Sequence, residues 1–185
     1  MKQNESIVMY VLRLAGTLLL ICAVTAGLLA GVNGITAPII AELNAAATQE
    51  AISAVLPGGF DSEITDYADA SGIVSKVYQG DNGYALEVGP GGFDNTITMM
   101  VGIDNEGMVL GISVVSHTET AGLGAVADAD TPKGIAFREQ FVGTSGSVSV
   151  TKDGGMMDAI TGATITSRAI CVGVNAALDC VAGLG

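Results

Sequence analysis

Hydrophobic and polar positions divide the chain into three regimes. From Leu14 to Ile40 no residue is charged, and the first part of that stretch reads LAGTLLLICAVTAGLLAGV. As a helix it is long enough to cross a hydrocarbon core of about 30 Å, so a transmembrane helix is expected over 7–32, behind a short cytoplasmic N-terminus at 1–6. The competing assignment, a cleaved signal peptide, calls for an apolar run of about 7–15 residues, shorter than this one. Asn33-Gly34 and Thr36-Ala37-Pro38 then predict a break and a restart, with Pro38 near a first helical position. Beyond them Ile39, Ile40, Leu43, Ala47, Ala51, Val55 and Leu56 recur at helical spacing until Pro57-Gly58-Gly59. This second regime, 33–59, is an amphipathic connecting helix whose stripe should pack on the following domain or on a partner protein.

The third regime, 60–185, is a globular domain. After an acidic, irregular stretch, GIVSKVYQ, YALEVG, NTITMMVGID and MVLGISVVSH are short runs rich in β-branched residues, separated by GDNG, PGGF and DNEG. Such runs punctuated by turn residues predict an antiparallel meander with a tight turn at Asp104-Asn105-Glu106-Gly107. KGIAFREQF predicts a short helix and SVSVT a further strand. A final helix from Ser167 to about Val181 carries Ile170, Val174, Ala177, Leu178 and Val181 on one face. Strands in a run with a few helices, rather than in strict alternation, give an α+β domain: an antiparallel sheet flanked by helices.

Charge adds an orientation and removes several functions. Lys2 and Arg13 precede the apolar core, and the next cation, Lys76, follows Glu42, Glu50, Asp61, Glu63, Asp66 and Asp69. Positive residues stay on the cytoplasmic side, so the domain is expected outside, with Arg13 snorkelling to the headgroups of the lipid bilayer. A net charge of −12 with seven scattered Lys and Arg argues against nucleic acid as a partner. Cys171 and Cys180 lie nine apart on a helix and should not pair, Cys22 reads as a packing residue, and with His117 the single histidine no metal framework is visible. One histidine without a G-x-S-x-G elbow makes a poor hydrolase, and neither a dinucleotide nor a P-loop glycine motif occurs.

Two stretches are left that could carry chemistry. SHTETAGLGA, Ser116 to Ala125, follows a strand, and Gly122 and Gly124 would allow positive φ or close approach of a flat ligand; an ordinary loop fits as well. In DAITGATITSRAI, Asp158 to Ile170, Thr166 or Ser167 reads as the N-cap of the final helix, with Gly162 as the turn before it. Arg168 then sits in a first turn where the dipole favours an acid. Capping accounts for one hydroxyl and leaves Thr164, beside the small Gly162 and Ala163, open to a large reagent.

Asp158-Ala159-Ile160-Thr161-Gly162-Ala163-Thr164 resembles the D-x-x-[ST]-G-A-T signature of FMN-binding domains in which a flavin transferase of the ApbE type joins FMN through its phosphate to the last threonine. The resemblance runs from the anchor to the final helix. It takes in VLPGG at 55–59, VGID at 101–104, SHTETAGLGA and FREQFVG at 137–143, in the order seen in the RnfG family of Rnf electron-transport complexes and, more distantly, in NqrC of the sodium-pumping NADH:quinone reductase. Ala121 stands where that family has proline in H-x-E-T-P-G-L-G. The resemblance implies a covalent FMN on Thr164, with Glu119, Thr120 and Leu123 against the isoalloxazine ring and Gly122 and Gly124 admitting it. It further implies Thr161, Gly162, Ala163 and Thr166 around the phosphate or ribityl chain, and Asp158 as the acid that the transfer requires. The implied activity is electron relay among the other membrane and redox subunits of a ferredoxin:NAD oxidoreductase that pumps Na⁺ or H⁺, with no turnover by this chain alone. An FMN carrier of another electron-transfer system, or a non-redox scaffold domain, are the alternatives.

Overall fold

The computed structural model describes residues 2–184, with side chains from residue 8 onward, so the side chain of Lys2 lies outside what is described. Helix α1 spans Lys2–Val55, and the chain divides into two compact units, Met1–Ala46 and Ala47–Gly185. In the first unit every described residue is exposed, including Leu18, Leu19, Leu20, Ile21, Leu28 and Leu29. A helix apolar on all sides and uncovered by its own chain has the composition of a membrane anchor. The expected break at residues 33–38 is absent, because α1 runs through Pro38. Proline removes the N–H that would bond the Gly34 carbonyl; two residues earlier the Thr36 hydroxyl donates to the Val32 carbonyl at 3.0 Å.

The second unit is built on five strands in the order β1-β2-β3-β4-β5, all antiparallel: β1 Ser62–Ile64, β2 Val74–Gly80, β3 Gly83–Val88, β4 Thr98–Asp104 and β5 Val109–Ser116. The meander follows the β-branched runs, and the Asp104 turn closes twice over. Asp104 N–H donates to the Met108 carbonyl at 2.9 Å, while its carboxylate accepts from Glu106 and Met108 N–H at 2.9 and 2.8 Å. Side chains alternate between the two faces. Val77, Leu86, Val88, Met99, Val101 and Ile103 point to one core, shared with Ile170, Val174, Ala177 and Leu178 of helix α3, Thr164–Ala182, and with Phe137 of helix α2, Pro132–Glu139. Tyr78, Ala85 and Met100 point the other way, onto Ala51, Ile52, Val55 and Leu56 at the end of α1. There Gly102 faces Gly111 across the ladder, and a Cβ on Gly102 would lie 2.0 Å from the Val55 carbonyl oxygen. Only a bare backbone lets α1 sit this close.

Three local expectations change. SVSVT forms no ladder strand: Val150 makes one isolated parallel bridge to Met157, and Val148 is paired by the Asn175 amide of α3, which accepts its N–H at 2.7 Å and donates to its carbonyl at 2.9 Å. The acidic stretch holds the short edge strand β1, exposed along most of its length. Helix α3 starts at Thr164 with Ala163 as its N-cap, so neither Thr166 nor Ser167 caps it. Both are buried inside the first turn, where the Ser167 hydroxyl donates to the Ala163 carbonyl and accepts the Ile160 N–H, each at 3.0 Å.

Candidate functional site

The loop after β5 and the start of α3 meet at a buried carboxylate. Glu119 is 8% exposed; its Oε1 accepts from the Phe93 N–H at 2.7 Å, and its Oε2 accepts the Thr166 hydroxyl at 2.5 Å. Two glycines make room for it, since a Cβ on Gly92 would fall 2.3 Å from Oε1 and one on Gly124 would fall 2.4 Å from Oε2. Glu119 thus ties three segments together: the β3–β4 connection, its own loop and α3. Its own N–H donates to Nδ1 of His117 at 3.2 Å, which makes His117 a satisfied histidine that orders the loop. The loop turns at Thr120–Leu123, with Leu123 N–H donating to the Thr120 carbonyl at 3.1 Å and φ +75° at Gly122. Gly122 supplies the positive φ the turn needs, so Ala121 serves where proline would.

These segments wall a cavity of about 280 Å³. It gathers Glu119, Thr120, Leu123, Gly124, Gly162, Ala163, Thr164 and Thr166 from the expected set, and adds Phe93, Lys152 and Ile165. Phe93, Leu123 and Ile165 are 65%, 42% and 49% exposed, an uncovered apolar surface on a charged domain. Gly162, at φ +81°, makes the tight entry to α3, and Leu123 packs where its Cβ would be. Ala163 offers the helix no side-chain acceptor, and among the described residues no side chain caps the first backbone N–H groups of α3. At that same point the Thr164 hydroxyl, half-buried, accepts a hydrogen bond from Lys152 Nζ at 3.0 Å.

Asp158, Thr161 and Gly122 fall elsewhere, along a second cavity of about 550 Å³ that also contains Lys133, Phe137 and Gln140. The Gln140 amide holds Asp158 by its backbone, accepting its N–H at 2.7 Å and donating to its carbonyl at 3.3 Å. Arg168, awkward in a first turn by sequence, is the fifth residue of α3 and forks onto Asp153 with both contacts at 2.6 Å. That bond holds the Asp153 carboxyl below its ordinary range. Phe93 and Lys152 lie outside both motifs: each reaches the cavity from a remote turn, and nothing in its local sequence marks it.

Chemically, the cavity offers an alcohol at an uncapped helix start, an ammonium on that alcohol, and apolar side chains around the opening. These suit the two ends of FMN: an anionic phosphate at Thr164 and Lys152, and a flat aromatic ring against Phe93, Leu123 and Ile165. A family model described as an FMN-binding domain matches residues 92–179, a span that includes every residue lining the cavity. A second, the RnfG N-terminal region, matches residues 1–55. The G subunit of the Na⁺-translocating ferredoxin:NAD⁺ oxidoreductase complex of Acetobacterium woodii is 34% identical over 91% of this chain and 90% of its own length. The chain belongs to the RnfG family. Other members of the RnfG family span it nearly as fully. The G subunit of an ion-translocating oxidoreductase complex of Methanosarcina acetivorans is 34% identical over 89% of this chain and 91% of its own length. Its counterpart in Photorhabdus laumondii is 35% identical over 83% and 82%.

Proposed function

We propose that this chain is the membrane-anchored flavoprotein of an Rnf-type complex, carrying FMN covalently through a phosphoester to Thr164 and relaying electrons between other subunits. The observation that carries the reading is the Thr164 hydroxyl itself. It stands at the uncapped start of α3, faces the cavity, and is held by a cation where a phosphate would be. Attachment by a flavin transferase of the ApbE type forms a bond from Thr164 Oγ1 to the flavin phosphorus. The bond from that phosphorus to the leaving group of an activated flavin donor breaks, the hydroxyl proton is released, and no electrons are exchanged. FMN, when bound, takes up and passes on electrons singly or in pairs.

The protein's own groups hold the two ends of the cofactor. Lys152 and the first N–H groups of α3 would meet the phosphate, and Glu119, by tying Phe93 to Thr166, fixes the wall against which the ring would rest. A phosphoester leaves the ring's electronics unchanged, so the potential is set by burial and hydrogen bonds around the ring. The benefit of the tether is retention: with Arg13 on the cytoplasmic side and the domain outside, a dissociated flavin would be lost to dilute surroundings. The chain has no turnover of its own; the complex couples ferredoxin oxidation and NAD reduction to movement of Na⁺ or H⁺. Co-expression with the transferase tests this. Thr164→Ala should give a folded, membrane-inserted protein without flavin after a denaturing wash; stoichiometric flavin retained by that variant would remove Thr164 as the attachment point.

A further inference from the structure

We propose that Lys152 is the positioning residue of the attachment site, holding the Thr164 oxygen for phosphoryl transfer and the phosphodiester charge afterwards; this rests on the reading of Thr164 given above. Of the residues lining the cavity, Lys152 is the one cation. An ammonium has donors only, so in the contact at 3.0 Å it donates to Thr164 Oγ1, leaving the hydroxyl's own proton directed elsewhere. A lysine in this state cannot take that proton, so its role is electrostatic: it favours negative charge on Oγ1 and on the phosphoryl oxygens as the new bond forms.

An exposed lysine ordinarily samples many rotamers, but the turn beneath this one is fixed on both sides. Thr151 N–H donates to the Met157 carbonyl at 2.9 Å, and Gly155, whose Cβ would lie 2.0 Å from the Ser149 carbonyl oxygen, closes the turn against Val150. On the other side Asp153 is gripped by the Arg168 fork, so the turn is stapled to the very helix that starts at Thr164. The two nearby carboxylates are committed: Asp153 to Arg168, and Glu119 to Phe93 N–H and the Thr166 hydroxyl. The ammonium of Lys152 is therefore left for an incoming anion. In a chain of net charge −12, a lone cation at the modified hydroxyl also offsets the repulsion that a flavin phosphate would meet.

The test is the initial rate of flavin incorporation into full-length protein by its transferase, read by in-gel fluorescence and by the mass of the peptide containing Thr164. Wild type, Lys152→Met, Lys152→Arg and Thr164→Ala are compared, with thermal unfolding of each. Lys152→Met should slow incorporation about tenfold, as expected for loss of one charge-assisted contact, while unfolding at the wild-type temperature. Lys152→Arg, keeping charge and reach, should recover most of the rate. Labelling of Lys152→Met at the wild-type rate, or an arginine variant as slow as the methionine one, would overturn the role of Lys152 while leaving the attachment intact. A wild type unmodified at Thr164 would instead overturn the attachment itself.

Discussion

Gly124→Ala probes the packing that shapes the cavity proposed to take the flavin. The added methyl would sit 2.4 Å from Glu119 Oε2, 2.6 Å from Thr166 Oγ1 and 2.9 Å from Glu119 Cβ. Gly124 is not at positive φ, so the backbone tolerates alanine and the whole cost is steric. The methyl fits only if the carboxylate and hydroxyl part. Losing a buried hydrogen bond to a charged group costs about 1.5–3 kcal/mol. Overpacking adds about 1–3 kcal/mol, so the sum is about 2.5–6 kcal/mol, roughly 8–24 °C of unfolding temperature for a unit of this size. Gly122→Ala is the control: at φ +75° and with open space around it, it should cost only the left-handed penalty of about 1–2 kcal/mol. The assay is thermal unfolding of the full chain in mild detergent, followed by near-ultraviolet circular dichroism, together with flavin loading. Gly124→Ala should be the less stable and should load less flavin, because the wall that Glu119 fixes is displaced. If Gly124→Ala unfolds within about 1 kcal/mol of wild type, or Gly122→Ala is the more damaging, Glu119 does not latch these three segments together.

Two further outcomes follow from charge and burial. The Arg168 fork depresses the Asp153 carboxyl, so the pair stabilises the fold above the ordinary aspartate range and ceases to as pH falls through the depressed value. Arg168→Met should therefore be less stable than wild type at pH 7 and indistinguishable from it in strong acid, as read from unfolding temperature against pH; a gap persisting at the acid end would refute this. Burial pushes the Cys171 thiol up to about 11, which leaves about one thiolate in a thousand at pH 8. Iodoacetamide should then modify Cys171 only on unfolding, as peptide masses would show, and labelling of native protein at the rate of a free thiol would contradict it.

The sheet is legible in the sequence because β-branched runs and Gly-Asn-Asp turns act locally, and so is the core face of α3, which repeats at helical spacing. The remainder depends on partners distant in sequence. SVSVT has the residues of a strand, yet the Asn175 amide takes the backbone groups that a neighbouring strand would have used. Thr166 and Ser167 look like caps, but one hydroxyl serves Glu119, 47 residues away, and the other binds back into the helix. Pro38 looks like a breaker and is carried within α1. The site divides in the same way. The two motifs contain most of the cavity's lining, whereas Phe93 and Lys152 come from turns whose placement is set by Glu119 and Arg168. Thr161 and Gly122, adjacent to lining residues in sequence, and Asp158, at the start of the same motif, line the second cavity instead, with the positive φ of Gly122 and Gly162 turning the chain at the two boundaries.

Peptide mass spectrometry of the protein purified from its native membrane decides whether Thr164 carries the flavin. One FMN-sized addition, through a phosphoester, is expected on the peptide that contains Thr164. The same peptide unmodified, or the addition located on Thr161 or Thr166, would contradict it.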